Sequence, residues 1–514
     1  MSKTIIIIGA GLAGLSAVLQ AAENGCNVKL VSSLPSERAQ SVMAEGGINA
    51  ALNTKDENDS PEEHFTDTIK AACGLADPNA VWGMTQAAPE LVHWLLKLGV
   101  KFNMSGYDDV DLRNFGGQKK KRTAFAQSDT GKQIMTAMID AVRRKEASGM
   151  VERFSHHSFL TLRLCGNICC GCVIRDEYSQ ETVELPGDAV IVATGGMHGL
   201  FGNKTGSLSN TGEVTAELFR LGVPLANGEM IQYHPTTVKC GGKRMLISEA
   251  ARGEGGRLFA MKDGKQWYFM EEKYPELGNL MPRDITAREI WKVSHESEVF
   301  LDMTEISEEI ISNKLSGLAD DCMTYLHKDI RKEPVSVLPG IHYFMGGILV
   351  DEQHRTPIQN LCAAGECCAQ YHGANRLGGN SLLGALYGGR VAAKSACEQA
   401  DVVDLSCATQ IDFPPASQIS EIKQLNKVMQ ETMGVVRNEN TLLNGIKTVQ
   451  ALTGNLPLLG MAVLKSALAR KESRGAHWRE DYPKSNDDDY LKTTVARFDG
   501  KQIQISFVPV PERR

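Results

Sequence analysis

The stretch that decides the fold is Thr4-Ile5-Ile6-Ile7-Ile8-Gly9-Ala10-Gly11-Leu12-Ala13-Gly14, a β-branched run followed by a glycine-rich turn. Residues 15–22 then have the pattern of a helix, and residues 27–31 that of a second strand. A G-x-G-x-x-G turn between a strand and a helix is typical of a dinucleotide-binding βαβ unit. Its glycines allow a tight turn, close approach of the backbone to a pyrophosphate, and close helix–strand packing. The stretch therefore predicts an α/β fold that binds a dinucleotide.

The end of the second strand lacks the acidic residue that usually binds the ribose, and offers the hydroxyls of Ser32 and Ser33 instead. Two later strand patterns, 188–193 and 356–366, end in Thr194-Gly195-Gly196 and in Gly365-Glu366. A strand followed by glycine and an acid late in the chain is where flavoproteins hold the ribityl group. Three separated pieces of one site predict a discontinuous nucleotide-binding domain, and favour FAD over NAD.

A chain of 514 residues is long enough for two to four domains. The pieces of the nucleotide site assign residues 1–228 and 346–400 to an FAD-binding Rossmann-like domain. Residues 229–345 are predicted to form an inserted α+β capping domain that contributes to the substrate site. Amphipathic patterns at residues 419–433 and 439–452 predict a C-terminal helical domain over residues 401–514.

The composition argues against several classes of function. A balance of 55 Lys+Arg against 62 Asp+Glu has the wrong sign for a nucleic-acid binder. The 49 glycines against 18 prolines favour backbone close to a ligand over a disordered linker. No apolar run reaches the ~18 residues of a transmembrane helix, so we expect no direct membrane insertion. Thirteen cysteines without a clear signal peptide favour a cytoplasmic protein, peripheral to a membrane at most through a partner subunit.

Two local patterns have competing interpretations. The cysteines between residues 165 and 172 include a C-x-x-C, which can hold a metal. The alternation from residue 160 to 174 around Gly166-Asn167 favours a β-hairpin with cysteines in small apolar positions, and we expect no metal. The run Lys119-Lys120-Lys121-Arg122 could steer anions, but a solvated loop is the favoured interpretation.

Seven further segments carry distinctive motifs. They are Ala44-Glu45-Gly46-Gly47-Ile48-Asn49-Ala50-Ala51, Phe115-Gly116-Gly117-Gln118, Gln232-Tyr233-His234-Pro235-Thr236, residues 248–256 beginning Ser248-Glu249-Ala250-Ala251-Arg252, Arg283-Asp284, residues 342–347 beginning His342-Tyr343, and residues 372–382 containing Asn375-Arg376-Leu377. In this order, over nearly the whole chain, they resemble the flavoprotein subunit of fumarate reductase and succinate dehydrogenase. L-aspartate oxidase is a relative that shares most of them.

The resemblance implies roles for the polar residues in these motifs. His234, Ser248, His342 and Arg376 would hold the carboxylates of a C4 dicarboxylate, with Phe115 beside them. Arg283 would donate a proton, and Glu249 and Arg252, three residues apart, would resupply it. Taken singly, each histidine is more often structural, and only the surrounding motif favours a functional role.

The resemblance also implies the residues that bind the cofactor. Helix 381–386 would direct its N-terminus at the flavin N1–C2=O edge, where its positive end stabilises an anionic reduced ring. The predicted FAD-binding residues are Gly9, Ala10, Gly11, Leu12, Ala13, Gly14, Ser32, Ser41, Gly46, Gly47, Ala193, Thr194, Gly195, Glu213, Glu366, Ser381 and Leu382.

Two departures from the family pattern bear on activity. Gln40 stands where covalent members carry the flavin-linking histidine, so we expect non-covalent FAD and the reductive direction or the oxidase. Phe115 stands where L-aspartate oxidase has a glutamate for the substrate ammonium, which favours a substrate without nitrogen.

The leading prediction is a fumarate reductase flavoprotein that transfers hydride from flavin N5. The alternatives are L-aspartate oxidase, succinate dehydrogenase, and an electron-transfer or scaffold flavoprotein without a substrate of its own. An iron–sulfur electron-transfer subunit is the expected partner, with free reduced flavin as the alternative electron source.

Overall fold

The computed structural model describes residues 2–106, 109–399, 413 and 418–514. Its helices are α1 (Leu12–Glu23), α2 (Pro61–Ala71), α3 (Pro78–Leu98), α4 (Thr130–Ala147), α5 (Glu213–Arg220), α6 (Glu249–Gly253), α7 (Phe269–Lys273), α8 (Arg283–Val293), α9 (Glu308–Lys314), α10 (Ser316–Asp321), α11 (Asn380–Gln399), α12 (Ile419–Thr432), α13 (Glu439–Val449), α14 (Asn455–Ala469) and α15 (Asp487–Tyr490).

The strands are β1 (Thr4–Ile8), β2 (Asn27–Ser32), β3 (Ile48–Asn49), β4 (Leu112–Arg113), β5 (Thr123–Ala124), β6 (Val151–Ser155), β7 (His157–Cys165), β8 (Ile168–Asp176), β9 (Thr182–Pro186), β10 (Ala189–Val192), β11 (Leu225–Ala226), β12 (Ile231–Cys240), β13 (Lys243–Leu246), β14 (Arg257–Lys262), β15 (Lys265–Trp267), β16 (Val299–Asp302), β17 (Val335–Ser336), β18 (Leu338–Phe344), β19 (Gly347–Leu349), β20 (Leu361–Ala363), β21 (Cys368–Ala369), β22 (Lys492–Phe498) and β23 (Ile503–Pro509).

A five-stranded parallel sheet in the order β20-β10-β1-β2-β6 forms the nucleotide-binding part of the fold. Residues 5–8 of β1 are almost completely buried, as expected of a central strand covered on both faces. β10 and β20 are the two later strands predicted from glycine-containing patterns. β10 lies between β1 and β20 in the sheet. The predicted α/β fold class is confirmed, because strands far apart in sequence meet in one parallel sheet.

The first and third glycines of the opening motif are required by close backbone contacts. Gly9 has φ +110°, and a Cβ there would lie 2.3 Å from the carbonyl oxygen of Ala193. A Cβ on Gly14 would lie 1.9 Å from the carbonyl oxygen of Gly9. The turn and the close packing of α1 on the strand ends therefore need these glycines.

Residues 231–344 form an inserted segment with two antiparallel sheets, β13-β12-β18 and β15-β14-β16-β17. Helix α8 packs against β12 and β18. The strands on either side of the insertion, β11 and β19, pair with each other, with Leu225 opposite Ile348. The chain therefore enters and leaves this segment at one place.

The C-terminal part of the chain contains the helices predicted at residues 419–433 and 439–452, observed as α12 and α13. The prediction of a C-terminal helical domain over residues 401–514 did not include the hairpin β22–β23, which the structure shows after these helices. β22 pairs with β11 and so extends the sheet β21-β19-β11-β22-β23. The proposed boundary at residues 400/401 lies outside the described residues, and the division into domains stays a prediction.

The cysteine-rich segment forms the antiparallel hairpin β7–β8, as predicted, and Cys169, Cys170 and Cys172 are buried there. Among the residues that the structure describes, no group of His, Cys, Asp and Glu side chains could hold a metal ion. Within the same described part, no helix is long and apolar enough to cross a membrane.

The favoured interpretation of residues 119–122 as a solvated loop is wrong for Arg122. Its side chain is completely buried, with Nη2 at 2.8 Å from Asp59 Oδ1 and 2.9 Å from Asp67 Oδ2. Lys119, in the same run, is exposed. The run of like charges alone does not indicate that Arg122 is the member that pairs with two buried carboxylates.

Replacing Arg122 with Ala should lower the free energy of unfolding by about 3–5 kcal/mol, because it leaves two buried carboxylates uncompensated. Urea unfolding followed by circular dichroism measures the change. Lys119→Ala removes an exposed charge from the same run and should shift stability by less than about 0.5 kcal/mol. Equal effects of the two substitutions would contradict the burial of this ion group.

Candidate active site

A cavity of about 1110 Å³ lies between the ends of the parallel sheet and the inserted segment. Every residue predicted to bind cofactor or substrate lines it, except Gly14. Of the three predicted catalytic residues, Arg283 and Glu249 line the cavity, and Arg252 lies behind Glu249. The lining residues from the prediction are Gly9, Ala10, Gly11, Leu12, Ala13, Ser32, Ser41, Gly46, Gly47, Phe115, Ala193, Thr194, Gly195, Glu213, His234, Ser248, Glu249, Arg283, His342, Glu366, Arg376, Ser381 and Leu382.

The end of the cavity at β1 and α1 fits the ribose and phosphates of a dinucleotide. Helix α1 begins at Leu12, whose backbone N–H donates to Ser41 Oγ (3.2 Å). A helix N-terminus without an acidic residue in its first turn favours an anion. Ser32 Oγ at the end of β2 is buried without a hydrogen-bond partner, so it is available to a ribose hydroxyl.

Glu366 contributes a buried carboxylate to the same cavity. Its Oε1 accepts from the backbone N–H of Phe344 (3.0 Å), and burial raises the pKa of the carboxyl to about 7. Ser381 lies in the first turn of α11, whose N-terminus faces the cavity. These groups fit the hydroxyls and ring edge of a flavin dinucleotide.

Gln40 also lines the cavity. Its Oε1 accepts a hydrogen bond from the backbone N–H of Ser207 at 2.5 Å. The amide therefore bridges the segment after β2 to the segment before α5, and presents no nucleophilic imidazole.

Arg283 and Glu249 form a buried ion pair at the side of the cavity made by the inserted segment. Arg283 begins α8, and its Nε and Nη2 donate to Glu249 Oε2 at 2.7 and 2.5 Å. Glu249 begins α6, and its Oε1 accepts from the backbone N–H of Gly116 (3.1 Å) and lies 3.4 Å from Arg252 Nη2. Burial opposes ionisation of Glu249, but Arg283 and Arg252 outweigh it and lower the pKa of the carboxyl.

Two buried histidines face Arg283. The rings of His234 and His342 are 5.1 Å apart between centroids, in an edge-to-face arrangement. Burial and the charge of Arg283 hold the pKa of both imidazoles well below the usual range. His342 Nδ1 lies 2.9 Å from Thr205 Oγ1. Both rings are therefore neutral hydrogen-bonding groups at physiological pH.

Arg376 stacks on an aromatic ring of the inserted segment. Its guanidinium carbon is 4.3 Å from the centroid of Tyr343, and its Nε is buried without a hydrogen-bond partner. Burial, with the charge of Arg283, lowers the pKa of Arg376 to about 9, so it still carries its charge at neutral pH. An unpartnered buried guanidinium is a binding group for a planar carboxylate.

Ser248 and Phe115 complete the surroundings of the ion pair. Ser248 caps α6 by accepting from the backbone N–H of Ala250 (3.4 Å). Phe115 is buried, and its ring packs where side chains on Gly46 and Gly378 would otherwise be. Phe115 therefore presents no charge to a substrate in this cavity.

Among the residues of the site that were not predicted from the sequence are Gln232, Tyr343 and Glu45. Gln232 Oε1 accepts from Arg283 Nη1 (3.1 Å), while its Nε2 donates to the carbonyl of Arg376 (2.9 Å). Tyr343 supports the guanidinium of Arg376. Glu45 Oε2 is buried without a hydrogen-bond partner, and burial, with Asp321 nearby, raises its pKa to about 8. All three lie within the motifs quoted in the sequence analysis. Their position in those motifs is the sequence signal that could have pointed to them.

Comparisons with known proteins agree with this geometry. The sequence profile of an FAD binding domain matches residues 4–382, and the profile of the fumarate reductase flavoprotein C-terminal region matches residues 452–513. The succinate dehydrogenase flavoprotein subunit of Bacillus subtilis is 38% identical over 100% of this chain and 98% of its own. The chain belongs to the fumarate reductase and succinate dehydrogenase flavoprotein family.

Members with fumarate reductase names are similar over the same length. The 8-methylmenaquinol:fumarate reductase flavoprotein subunit of Wolinella succinogenes is 32% identical, covering 100% of this chain and 92% of its own. A solved quinol fumarate reductase chain from Escherichia coli superposes with a TM-score of 0.90 at 27% identity, over 99% of this chain and 97% of that one. As a member of this family the chain is an FAD-dependent oxidoreductase.

Glu45 should make stability pH-dependent. Its carboxyl binds a proton more tightly in the folded state, with a pKa of about 8 against the usual 4.5, so folding loses stability as pH rises from about 4.5 to 8. Glu45→Gln should remove this decline. In the parent protein, this carboxyl should lower the free energy of unfolding by up to about 1.4 kcal/mol per pH unit over that range. Thermal unfolding in saturating FAD from pH 5 to 8 measures the difference.

Glu309→Gln, at an exposed glutamate, is the matched control and should keep the slope of the parent. An unchanged slope in Glu45→Gln would show that this carboxyl is ionised in the folded protein.

Proposed function

We propose that this chain reduces fumarate to succinate, with non-covalently bound FAD. The observation that carries the proposal is the convergence of Arg283, Arg376, His234 and His342 on one cavity that also contains the dinucleotide-binding turn. Glu249 compensates the charge of Arg283, whereas no carboxylate among the described residues forms an ion pair with Arg376. The cavity therefore has positive charge available to a small dicarboxylate.

The two ends of a dicarboxylate would bind different groups. Arg376 offers its unpartnered Nε, and Tyr343 holds the guanidinium plane in place. His234 and His342 are neutral, so they can donate hydrogen bonds without adding a repelling charge beside Arg283. Phe115 provides no acid for an ammonium group, which disfavours aspartate as substrate.

Reduction of the double bond needs two electrons and two protons. A hydride carries both electrons and one of the protons, and the second proton is delivered separately. The reduced form of bound FAD would supply the hydride from N5 and become oxidised to FAD. Arg283 would supply the proton, since its guanidinium lies in the cavity and is held by Glu249. Glu249 and Arg252 lie behind Arg283, with Arg252 Nη2 at 3.4 Å from Glu249 Oε1, and would return the proton. Because these groups are already held in position, less reorganisation of the site is needed to reach the transition state.

The direction of turnover and the partner are inferred from the resemblance. In the family, covalent attachment raises the flavin potential and supports succinate oxidation, so Gln40 favours reduction. The 38% identity to a succinate dehydrogenase subunit favours the second candidate, succinate oxidation by the same site. Because relatives are named as subunits, we propose that an iron–sulfur subunit supplies the electrons.

The activity is tested with reduced viologen as electron donor and fumarate as acceptor, and in reverse with succinate and an acceptor dye. Arg283→Lys should lower fumarate reduction by at least about a hundredfold, because the positioned proton donor is lost. FAD binding, measured by absorbance, should not change. Arg331→Lys, at a partly exposed arginine of the inserted segment, should retain full activity.

Fumarate that does not accelerate viologen oxidation above background would overturn the proposal. Faster succinate oxidation than fumarate reduction would select the second candidate, and aspartate-dependent peroxide formation would select L-aspartate oxidase.

Acid precipitation tests the mode of FAD attachment. The flavin should be released into the supernatant, because the amide of Gln40 cannot form the covalent link and is engaged by Ser207 N–H. A protein with covalently bound flavin, carried through the same precipitation, should keep its colour in the pellet. Flavin retained in the pellet of this protein would contradict non-covalent binding.

A further inference from the structure

Arg376 lies on a loop, residues 372–377, that connects β21 to α11. The backbone N–H of Ala374 donates to the carbonyl of Ala72 (3.0 Å), and Gln232 Nε2 donates to the carbonyl of Arg376 (2.9 Å). Because Arg376 Nε has no protein partner, the placement of its guanidinium depends on the position of this backbone.

A turn near the end of the chain, residues 474–477, packs directly on this loop. The backbone N–H of Ala476 donates to the carbonyl of Ala374 at 2.9 Å. Gly475 has φ +54°, and a Cβ there would lie 2.5 Å from the same carbonyl oxygen. The first and last residues of the turn are joined by two backbone hydrogen bonds of 2.8 and 3.0 Å. The turn is therefore closed, and it meets the loop two residues before Arg376.

Buried charges fix the turn in place. Arg474 Nε and Arg470 Nη1 both donate to Glu472 Oε1 at 2.8 Å. Arg437 Nη1 donates to His477 Nδ1, also at 2.8 Å. Breaking a buried ion pair leaves an uncompensated charge and is strongly destabilising, so these contacts hold the turn against its neighbours. We call this group the C-terminal ion cluster; its members, all buried, are Glu229, Arg437, Arg470, Glu472, Arg474 and His477.

The C-terminal ion cluster also holds the residues just before the inserted segment, which contains Arg283. Glu229 Oε1 accepts from Arg470 Nε (2.7 Å), and the carbonyl of Glu229 accepts from Arg437 Nη1 (2.7 Å). Just before it, Asn227 Oδ1 accepts from the backbone N–H of Thr494 (3.0 Å). One group of buried charges therefore contacts both the Arg376 loop, through the turn, and the start of the inserted segment.

We propose that the turn 474–477, held by the C-terminal ion cluster, is a positioning element that fixes Arg376 relative to Arg283 and so sets the affinity for the dicarboxylate. The inference rests on the proposed function for the identity of the ligand. The residues of the turn touch neither ligand nor cofactor and act through the backbone at Ala374.

The test is Gly475→Ala in the full-length holoenzyme, because a Cβ would push against the carbonyl of Ala374. The dissociation constant for malonate, a dicarboxylate, should rise at least about tenfold and KM for fumarate should rise with it, while kcat falls less than about threefold. The matched control is Gly264→Ala, where φ is also positive (+76°) but nothing lies within 4 Å. It should leave the malonate affinity unchanged.

A double-mutant cycle separates positioning from general loss of stability. In an Arg376→Lys background, Gly475→Ala should weaken malonate binding by much less than it does in the parent, because both changes act on one contact. Additive effects would overturn the inference. Arg474→Lys, which keeps the charge near Glu472, serves if Gly475→Ala does not fold, and should raise the malonate dissociation constant in the same direction.

Hydrogen–deuterium exchange provides a readout without substrate. Peptides covering residues 372–377 should exchange faster in Gly475→Ala, and at the parent rate in Gly264→Ala. Unchanged exchange and unchanged malonate affinity would overturn the positioning role. A parent protein that binds no dicarboxylate, with the exchange difference still present, would instead overturn the proposed function and leave the structural coupling standing.

Discussion

The buried pair of Arg283 and Glu249 is the interaction on which the rest of the site depends. Neither charge can be left alone in the interior, so the positions of α6 and α8 are tied to each other. The backbone N–H of Gly116 joins the same carboxylate, and this links the inserted segment to the part of the chain that binds the nucleotide. A single carboxylate therefore neutralises Arg283 and sets the distance between two parts of the molecule.

The charges in the cavity follow from this pairing. With Arg283 compensated and both histidines neutral, Arg376 is the group among these four that keeps an uncompensated positive charge. The overall charge of −7 says nothing about this arrangement, because the groups concerned are internal. Glu45, whose Oε2 is buried without a hydrogen-bond partner among the described residues, adds a carboxyl that stays largely protonated near neutral pH and so does not cancel Arg376.

Patterns that depend on neighbouring residues could be predicted from the sequence. The β1–α1–β2 unit and helices α12 and α13 follow from local periodicity and glycine placement. The pairing of β22 with β11 and the burial of Arg122 could not, because both depend on partners distant in the sequence. The motifs indicated which residues surround the cavity, but only coordinates place Gln232 between the two arginines.

The pairing of β11 with β22 has a consequence for biosynthesis. Leu225 of β11 lies opposite Ala496 of β22. The sheet that contains β11 therefore cannot be completed until β22 has been synthesised. At ~5–20 residues added per second, that edge stays open for many seconds after the parallel sheet can form. Because β11 is only two residues long, this open edge offers little backbone for unwanted strand pairing before β22 arrives.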